Sequence, residues 1–111
     1  MLSALLTMGH HGLMQLRDIV RMACENPANI YGIRNKGFLE VGMDADLTLV
    51  DTKRKAIFER HMVASKCGWS PYEGAEFVGW PIHVFLGGTQ VVRDQVVFGK
   101  PCGKPVEFTW K

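Results

Sequence analysis

The sequence predicts an α+β fold in which helices come first and a small β-sheet follows. Before about residue 35 the apolar residues recur at helical spacing, whereas after it short apolar runs alternate with turn residues, as strands do. Segregation of helices from strands along the chain is typical of the α+β class. With 111 residues, one domain with a modest core is expected, made of a helical segment (residues 1–34) and a sheet segment with an extended tail (residues 35–111).

The first predicted helix occupies the opening of the chain. Leu2, Leu5 and Leu6 fall on one helical face. Gly9 and Gly12 follow and are expected to end this helix, because glycine is a poor residue for a helix interior.

A second helix is predicted for residues 15–25. Its apolar residues follow the spacing that buries one stripe, namely Leu16, Ile19, Val20 and Ala23. Pro27 disfavours the helical conformation in the residue before it, so this helix is expected to stop at about Glu25. Asn26 would then cap a short helical turn that begins at Pro27 and is closed by Gly32.

The remaining elements are predicted to be strands. In chain order they are residues 38–41, 46–50, 55–58, 82–86, 89–92 and 95–98, with 106–108 as a further candidate at a sheet edge. Gly87-Gly88 separates two of these runs and predicts a two-residue hairpin turn, since glycine adopts positive φ without steric cost.

Composition and charge exclude several classes of protein. The chain is 47% hydrophobic and 22% charged, and its 13 basic and 11 acidic residues give a net charge of +2. This balance gives no indication of a nucleic-acid or membrane partner. The one dense basic run, Lys53-Arg54-Lys55, is interpreted as a solvated turn.

Cysteine usage and the N-terminus indicate a cytoplasmic protein. The three cysteines are far apart and form no C-x-x-C pair, which favours a reducing compartment; they are Cys24, Cys67 and Cys102. The apolar N-terminus has no basic flank and is interrupted by glycines, so it matches neither a signal peptide nor a membrane span.

The histidines do not predict a metal site. Adjacent helical residues point about 100° apart, so His10 and His11 cannot easily chelate one ion. Their position favours a role at the negative end of the first helix. His61 and His83 stand alone, and no Cys/His cluster has zinc spacing.

The segment GWSPYEG, residues 68–74, is a candidate nucleophile loop that the sequence does not support. The G-x-S-x-G turn requires glycine where this chain has Tyr72. Ser70 and Glu73 instead match a helix capping box. The tryptophans are not interleaved with basic residues and are interpreted as core or interface anchors; they are Trp69, Trp80 and Trp110.

Three aspartates in the segment GFLEVGMDADLTLVD, residues 37–51, are candidates for an acidic site. Asp44 fits a turn, Asp46 a strand entry and Asp51 a strand exit, so they are expected to project in different directions. They are interpreted as turn residues. The sequence therefore assigns no catalytic, substrate-binding or metal-binding residue.

The predicted helices offer a broader apolar face than the few short strands can cover. A second packing layer is expected to be missing. The chain therefore has the character of part of a larger protein.

A family resemblance explains this imbalance. The segments ENPANIYGI, KGFLEVGMDADLTLVD, SPYEG and VVRDQVVFG occur in the order seen in the C-terminal part of cyclic amidohydrolases. From about Leu2 to Phe108 the chain resembles the dihydroorotase, allantoinase and hydantoinase enzymes, with dihydroorotase-like proteins favoured. In such enzymes a (β/α)₈ barrel holds one or two zinc ions, and both chain ends build a small β-sandwich. The resemblance implies that residues 1–33 are the last barrel helices and residues 37–108 the C-terminal share of the sandwich.

The chain also departs from this family. The zinc-binding H-x-H and D-H-A-P-like motifs do not occur in it, and a whole barrel needs about 250 residues. The resemblance thus implies a scaffold portion of a zinc-dependent enzyme that hydrolyses a C–N bond in a cyclic amide. Zinc is expected in the parent enzyme and not on these residues. The expected partners are the rest of the barrel and, in a homo-oligomer, further copies.

Two other interpretations stay open at this point. The chain could be a non-catalytic relative that acts in assembly. It could instead be a short subunit that completes the active site of another chain.

Overall fold

The computed structural model describes residues 1–109 and has the predicted α+β architecture, with helices followed by a four-stranded antiparallel sheet. The helices are α1 (Leu2–His10), α2 (Leu16–Val20) and α3 (Asn26–Ile30), and a π-helical turn (Arg21–Glu25) joins the last two. The strands lie side by side in chain order: β1 (Leu47–Ile57), β2 (Glu76–Leu86), β3 (Thr89–Arg93) and β4 (Val96–Val97). None of the helices within residues 1–109 is long and apolar enough to cross a bilayer.

The first helix is confirmed, and it packs closely against the second. As predicted, α1 ends near Gly9 and Gly12, because its last residue is His10. A Cβ atom at Gly9 would lie 3.5 Å from the Cδ1 atom of Ile19. This is an ordinary van der Waals distance, so Gly9 lies at the contact between α1 and α2 without a side chain being excluded there.

The predicted helix break at Glu25 is wrong. Glu25 and Asn26 both have helical dihedrals, with φ and ψ of −64° and −52° and of −61° and −48°. The helix continues through the π-helical turn to Ile30. A π-helical turn shifts the backbone hydrogen bonds to the fifth residue and widens the helix, which makes room for the ring of Pro27.

Strand β1 combines two predicted strands, residues 46–50 and 55–58, into one. Its pairing with β2 shifts register between Asp51 and Lys55. At this bulge the Oδ1 atom of Asp51 accepts hydrogen bonds from the backbone N–H groups of Lys53 and Arg54, at 2.9 and 3.2 Å. The basic run Lys53-Arg54-Lys55, interpreted from the sequence as a solvated turn, is therefore an exposed bulge within one continuous strand.

The predicted strand at residues 38–41 is wrong. Leu39 and Val41 are exposed, and the segment belongs to no strand. The N–H group of Met43 donates to the carbonyl oxygen of Glu40 at 3.2 Å. This local turn replaces the ladder hydrogen bonds that a strand would need.

Strand β2 begins six residues before the predicted start at Ile82. Gly79 and Pro81, which are rare inside strands, lie within this extension. Pro81 is accommodated next to a register shift in the pairing with β1. The predicted hairpin is confirmed, since Leu86 pairs with Thr89 across Gly87-Gly88.

The end of the chain returns to the helices. Only Val96–Val97 of the predicted strand 95–98 pairs with β3. Phe108 forms a bridge with Ile33, so the predicted pairing of residues 106–108 occurs beside α3 and not at the edge of the sheet. Trp110 lies outside the described residues, and its role as an anchor stays a prediction.

The core is small and lies where α1 covers β2. The buried apolar residues are Leu6, Ile19, Ala28, Phe77, Val78 and Trp80. The accessible surface is 8505 Å², whereas a monomer of this mass, 12.5 kDa, normally exposes about 6,200 Å². The radius of gyration is 15.2 Å, against about 13 Å for a compact domain of this length. The described chain is thus more open than a self-sufficient domain.

Candidate functional site

The most connected group of charges lies where three segments of the chain meet, and Lys36 is its centre. The Lys36 Nζ atom is 2.9 Å from the Oδ2 atom of Asp44 and also forms an ion pair with Asp46. The Oδ1 atom of Asp46 accepts a hydrogen bond from the N–H group of Gly87 at 2.7 Å. We call Lys36, Asp44, Asp46 and Gly87 the Lys36 clamp. It joins the loop after α3, the start of β1 and the β2–β3 hairpin.

The clamp corrects one prediction about the aspartates. Asp44 and Asp46 were expected to project in different directions, but both reach Lys36. The place of each aspartate relative to a strand does not reveal Lys36, which comes from the preceding loop. Asp51 is separate, because its carboxylate binds the backbone of the β1 bulge.

The electrostatics of the clamp favour a structural role. The hydrogen bond from Lys36, followed by that from the Gly87 N–H, holds the pKa of Asp46 below its ordinary value. The hydrogen bonds to Asp46 and Asp44 raise the pKa of Lys36. Lys36 and Asp46 therefore stay charged near neutral pH. A group that serves as general acid or base works best with a pKa near the operating pH, so the clamp does not suit that role.

The histidines at the end of α1 occupy the position predicted for them. His10 is the last residue of α1 and His11 is its C-cap. Their ring centroids are 5.5 Å apart in an edge-to-face arrangement. Within residues 1–109 no group of three or more His, Cys, Asp and Glu side chains is placed to hold a metal ion. The donor set of these residues does not fit a zinc site.

The loop before β2 contains the rejected nucleophile motif. The Oγ atom of Ser70 accepts a hydrogen bond from the N–H group of Tyr72 at 3.2 Å. Residues 71–74 form a turn, so the Ser70–Glu73 pattern does not start a helix as a capping box would. The interpretation of this segment as structural is supported by that turn.

One cysteine has a polar environment that the sequence analysis missed. The Sγ atom of Cys67 is 2.9 Å from the Oγ atom of Ser65, and it lies 3.4 Å from the carbonyl oxygen of Trp69. The hydrogen bond with Ser65 is the main cause that lowers the pKa of the Cys67 thiol. The only signal in the sequence was a serine two residues before the cysteine. All three cysteines are free and exposed.

One concave surface is an open cleft between α1, α2 and the bulge of β1. Its volume is about 590 Å³. Leu6 and Ile19 contribute apolar surface, and His10 and Lys53 are polar residues of its lining. We call this the helix–bulge cleft. Its size is in the range of ligand-binding clefts, but the described residues bring no catalytic set of side chains to it.

Comparison with known proteins defines the class. Residues 1–91 match the sequence model of the amidohydrolase family, and the chain belongs to this family. This match covers both the helices and most of the sheet, and it agrees with the resemblance seen in the sequence.

Several dihydroorotases are similar in sequence to this chain. The chain is 42% identical to the dihydroorotase of Pyrococcus furiosus over 95 residues, which are 86% of this chain and 23% of that enzyme. It is 39% identical to the dihydroorotase of Methanothermobacter thermautotrophicus over 111 residues, covering 99% of this chain and 26% of that enzyme. The chain thus spans about a quarter of the length of these relatives.

Similar solved structures are hydantoinases. The L-hydantoinase of Arthrobacter aurescens superposes with a TM-score of 0.80 at 32% identity, over 86% of this chain and 22% of that enzyme. A D-hydantoinase superposes with a TM-score of 0.78 at 27% identity over the same shares. Sequence and structure therefore both connect the chain to cyclic amidohydrolases.

Proposed function

We propose that this chain is the C-terminal scaffold portion of a zinc-dependent cyclic amidohydrolase, most similar to dihydroorotase. The parent enzyme would hydrolyse a C–N bond in a cyclic amide. The helical part, residues 1–34, would supply the last helices of a (β/α)₈ barrel. The sheet part, residues 35–111, would supply one share of a composite β-sandwich.

The observation that carries this proposal is the unfinished core of a chain that matches the family. Ile19 of α2 is buried, with 3% of its surface exposed, but Leu16 on the same helix exposes 51% and Leu13, in the loop between α1 and α2, exposes 71%. Burying apolar surface contributes about 25 cal/mol per Å², so such a face is stabilised when further protein covers it. About three quarters of the length of each relative lies outside the matched part and could supply that cover.

The chemistry would come from residues outside this chain. In the parent enzyme, zinc would act as a Lewis acid and activate a water molecule. Within residues 1–109 no group of three or more His, Cys, Asp and Glu side chains is placed to hold a metal ion, so we propose that the ligands come from the rest of the parent enzyme. Their contribution is to close the barrel and to position its last helices. We also propose that the parent forms a homo-oligomer and works in the cytoplasm.

A chimeric enzyme tests the scaffold role. The 95 residues of Pyrococcus furiosus dihydroorotase that match this chain are replaced by the corresponding residues of this chain, and dihydroorotase activity is measured with zinc. If the segment is a scaffold, kcat/KM stays within about tenfold, since a tenfold loss corresponds to only about 1.4 kcal/mol of activation free energy.

The controls separate the scaffold role from its alternatives. The isolated 111-residue chain with zinc should show no dihydroorotase activity. A chimera that unfolds cooperatively but is inactive would contradict the proposal and favour a non-catalytic relative. Activity that appears when the isolated chain is mixed with a separate barrel chain would instead identify a subunit that completes another active site.

A further inference from the structure

The helix–bulge cleft has an apolar floor and a basic side. Leu6 and Ile19 are buried in the core, whereas Leu16, which also lines the cleft, is 51% exposed. The cleft therefore joins the core of the chain to its open helical face. A side chain inserted here would touch apolar atoms already packed in the core.

The charge of the cleft is one-sided. Lys53 and His10 belong to its lining, and no aspartate or glutamate does. The nearest carboxylate along the strand, that of Asp51, is turned to the backbone N–H groups of Lys53 and Arg54. None of the ion pairs found within residues 1–109 uses the Lys53 amine. The cleft thus presents a cation that lacks a carboxylate partner in the described part of the chain.

The bulge explains why Lys53 lies there. A regular strand would place this residue in the ladder with β2, but the register shift between Asp51 and Lys55 pushes it out of the ladder. Bulges and lysines also protect a sheet edge against unwanted strand pairing. At this point the bulge brings Lys53 to the end of α1 and the start of α2, since His10 and Gln15 line the same cleft.

We propose that the helix–bulge cleft is the docking site for one segment of the rest of the amidohydrolase chain, which inserts an apolar side chain beside an aspartate or glutamate that pairs with Lys53. This inference rests on the proposed function. The size of the relatives supports this occupant, because about three quarters of their length lies outside the matched residues. The basic side of the cleft selects the carboxylate by charge complementarity.

Peptide binding to the 111-residue chain tests this inference. Short overlapping peptides that cover Pyrococcus furiosus dihydroorotase outside its matched 95 residues are added to the isotope-labelled chain, and amide shifts are followed by NMR. Peptides that bind should shift the amides of Gly9, Gly12 and Lys53. Each binding peptide should carry an Asp or Glu beside an apolar residue, and its Asn or Gln version should bind less.

Matched variants of the chain test the charge and the apolar floor separately. Lys53→Glu should weaken binding about tenfold or more. Lys104→Glu, which makes the same charge change in the exposed tail outside the cleft, should leave binding unchanged. Leu16→Ala should also weaken it, through lost apolar contact. Dispersed NMR spectra of each variant confirm that it is folded.

Each remaining outcome overturns the inference in a recognisable way. If Lys53→Glu and the unmodified chain bind the peptides equally well, Lys53 does not pair with a carboxylate of the docked segment. Sedimentation that shows a dimer with the cleft amides protected would assign the cleft to a second copy. If no peptide binds but the chimeric dihydroorotase is active, the docking site is wrong while the proposed function stands. If only unrelated acidic amphipathic peptides bind, the cleft does accept an apolar side chain beside a carboxylate. The proposed occupant, a segment of the amidohydrolase chain, is then wrong.

Discussion

The neighbouring strands β1 and β2 have the same length, eleven residues each, but differ in burial. Four consecutive residues of β2, from Phe77 to Trp80, are buried, whereas β1 has no buried residue. The difference follows from their neighbours. In the described chain β2 pairs with both β1 and β3 and is also contacted by helix α1, while β1 forms an edge of the sheet.

Strand β3 pairs only with the second half of β2. Along the first half of β2, helix α1 takes the place that a neighbouring strand would occupy. The Oγ1 atom of Thr7 accepts a hydrogen bond from the N–H group of Val78 at 2.9 Å and lies 3.3 Å from the Val78 carbonyl oxygen. One side chain thus replaces the ladder partner on that side of β2. The comparison shows that the buried core of the described chain is built around β2, whereas the residues of β1 stay exposed or half-buried.

The largest loss in the free energy of unfolding is expected from a substitution at Gly79, where α1 and β2 are in contact. A Cβ atom at Gly79 would lie 2.5 Å from the Cβ atom of Leu6, and φ at this glycine is +98°. Gly79→Ala should therefore destabilise the chain by about 2–5 kcal/mol, the sum of backbone strain and overpacking. Urea or thermal unfolding followed by circular dichroism measures the loss, which can abolish folding in a small domain.

Gly42, before β1, is the matched control for this substitution. Its φ is +97°, and no atom lies within 4 Å of a Cβ atom built there. Gly42→Ala should cost only the strain, about 1–2 kcal/mol. Equal losses at both positions would show that α1 does not pack on β2 as described.

The next effect is expected from Leu6, which is buried against β2. Leu6→Ala should lower the free energy of unfolding by about 2–4 kcal/mol, because it removes buried atoms and leaves a cavity. Leu49→Ala on β1 should change it by less than about 0.5–1 kcal/mol, since Leu49 is 45% exposed. A large loss at Leu49 would mean that β1 is covered in solution, for example by a second copy, and sedimentation would then detect the dimer.

The sequence could predict those parts of the fold that depend on neighbouring residues. The β2–β3 hairpin followed from Gly87-Gly88, and α1 followed from the spacing of its leucines. The continuous helix across Pro27 could not be predicted, because it depends on a π-helical turn that local preference does not reveal. The early start of β2 at Glu76 depends on packing against α1, which outweighs the unfavourable Gly79 and Pro81.

The candidate site was predictable only in part. The sequence placed His10 and His11 at a helix end and gave turn roles to the aspartates, which depend on local geometry. The Lys36 clamp was missed, since the Asp46–Gly87 hydrogen bond joins residues 41 positions apart. The helix–bulge cleft was missed as well, because the bulge that places Lys53 there arises from the register between two strands.

A smaller effect is expected from Thr7, which tests the polar half of the α1–β2 contact. Thr7→Val keeps the shape of the side chain but leaves the buried N–H group of Val78 without its partner. The expected loss is about 1–2 kcal/mol, the cost of an unsatisfied buried backbone group. Thr48→Val on the exposed strand β1 is the control and should be nearly neutral. The Val78 amide should exchange hydrogen faster in Thr7→Val only.

The smallest effect is expected at the Lys36 clamp, which ties the start of β1 to the β2–β3 hairpin. Asp46→Asn removes the ion pair with Lys36, but the side chains are partly exposed, at 29% and 27%. Solvent screening limits the loss at pH 7 to about 1 kcal/mol or less. Asp44→Asn should cost less still, because Asp44 lacks the additional hydrogen bond from Gly87.

The pH dependence of unfolding distinguishes this ion pair from simple packing. Lys36 holds the pKa of Asp46 below the ordinary value of 3.8, so the unfolded chain binds more protons than the folded chain between these two pKa values. The contribution of Asp46 is therefore complete above about pH 4 and is lost as the pH falls through the folded pKa. Unfolding measured from pH 7 to pH 2 should show a smaller acid-induced loss for Asp46→Asn than for the unmodified chain. Identical pH profiles would mean that the carboxylate does not bind Lys36 in solution, and the start of β1 would then be as loosely held as its exposed residues.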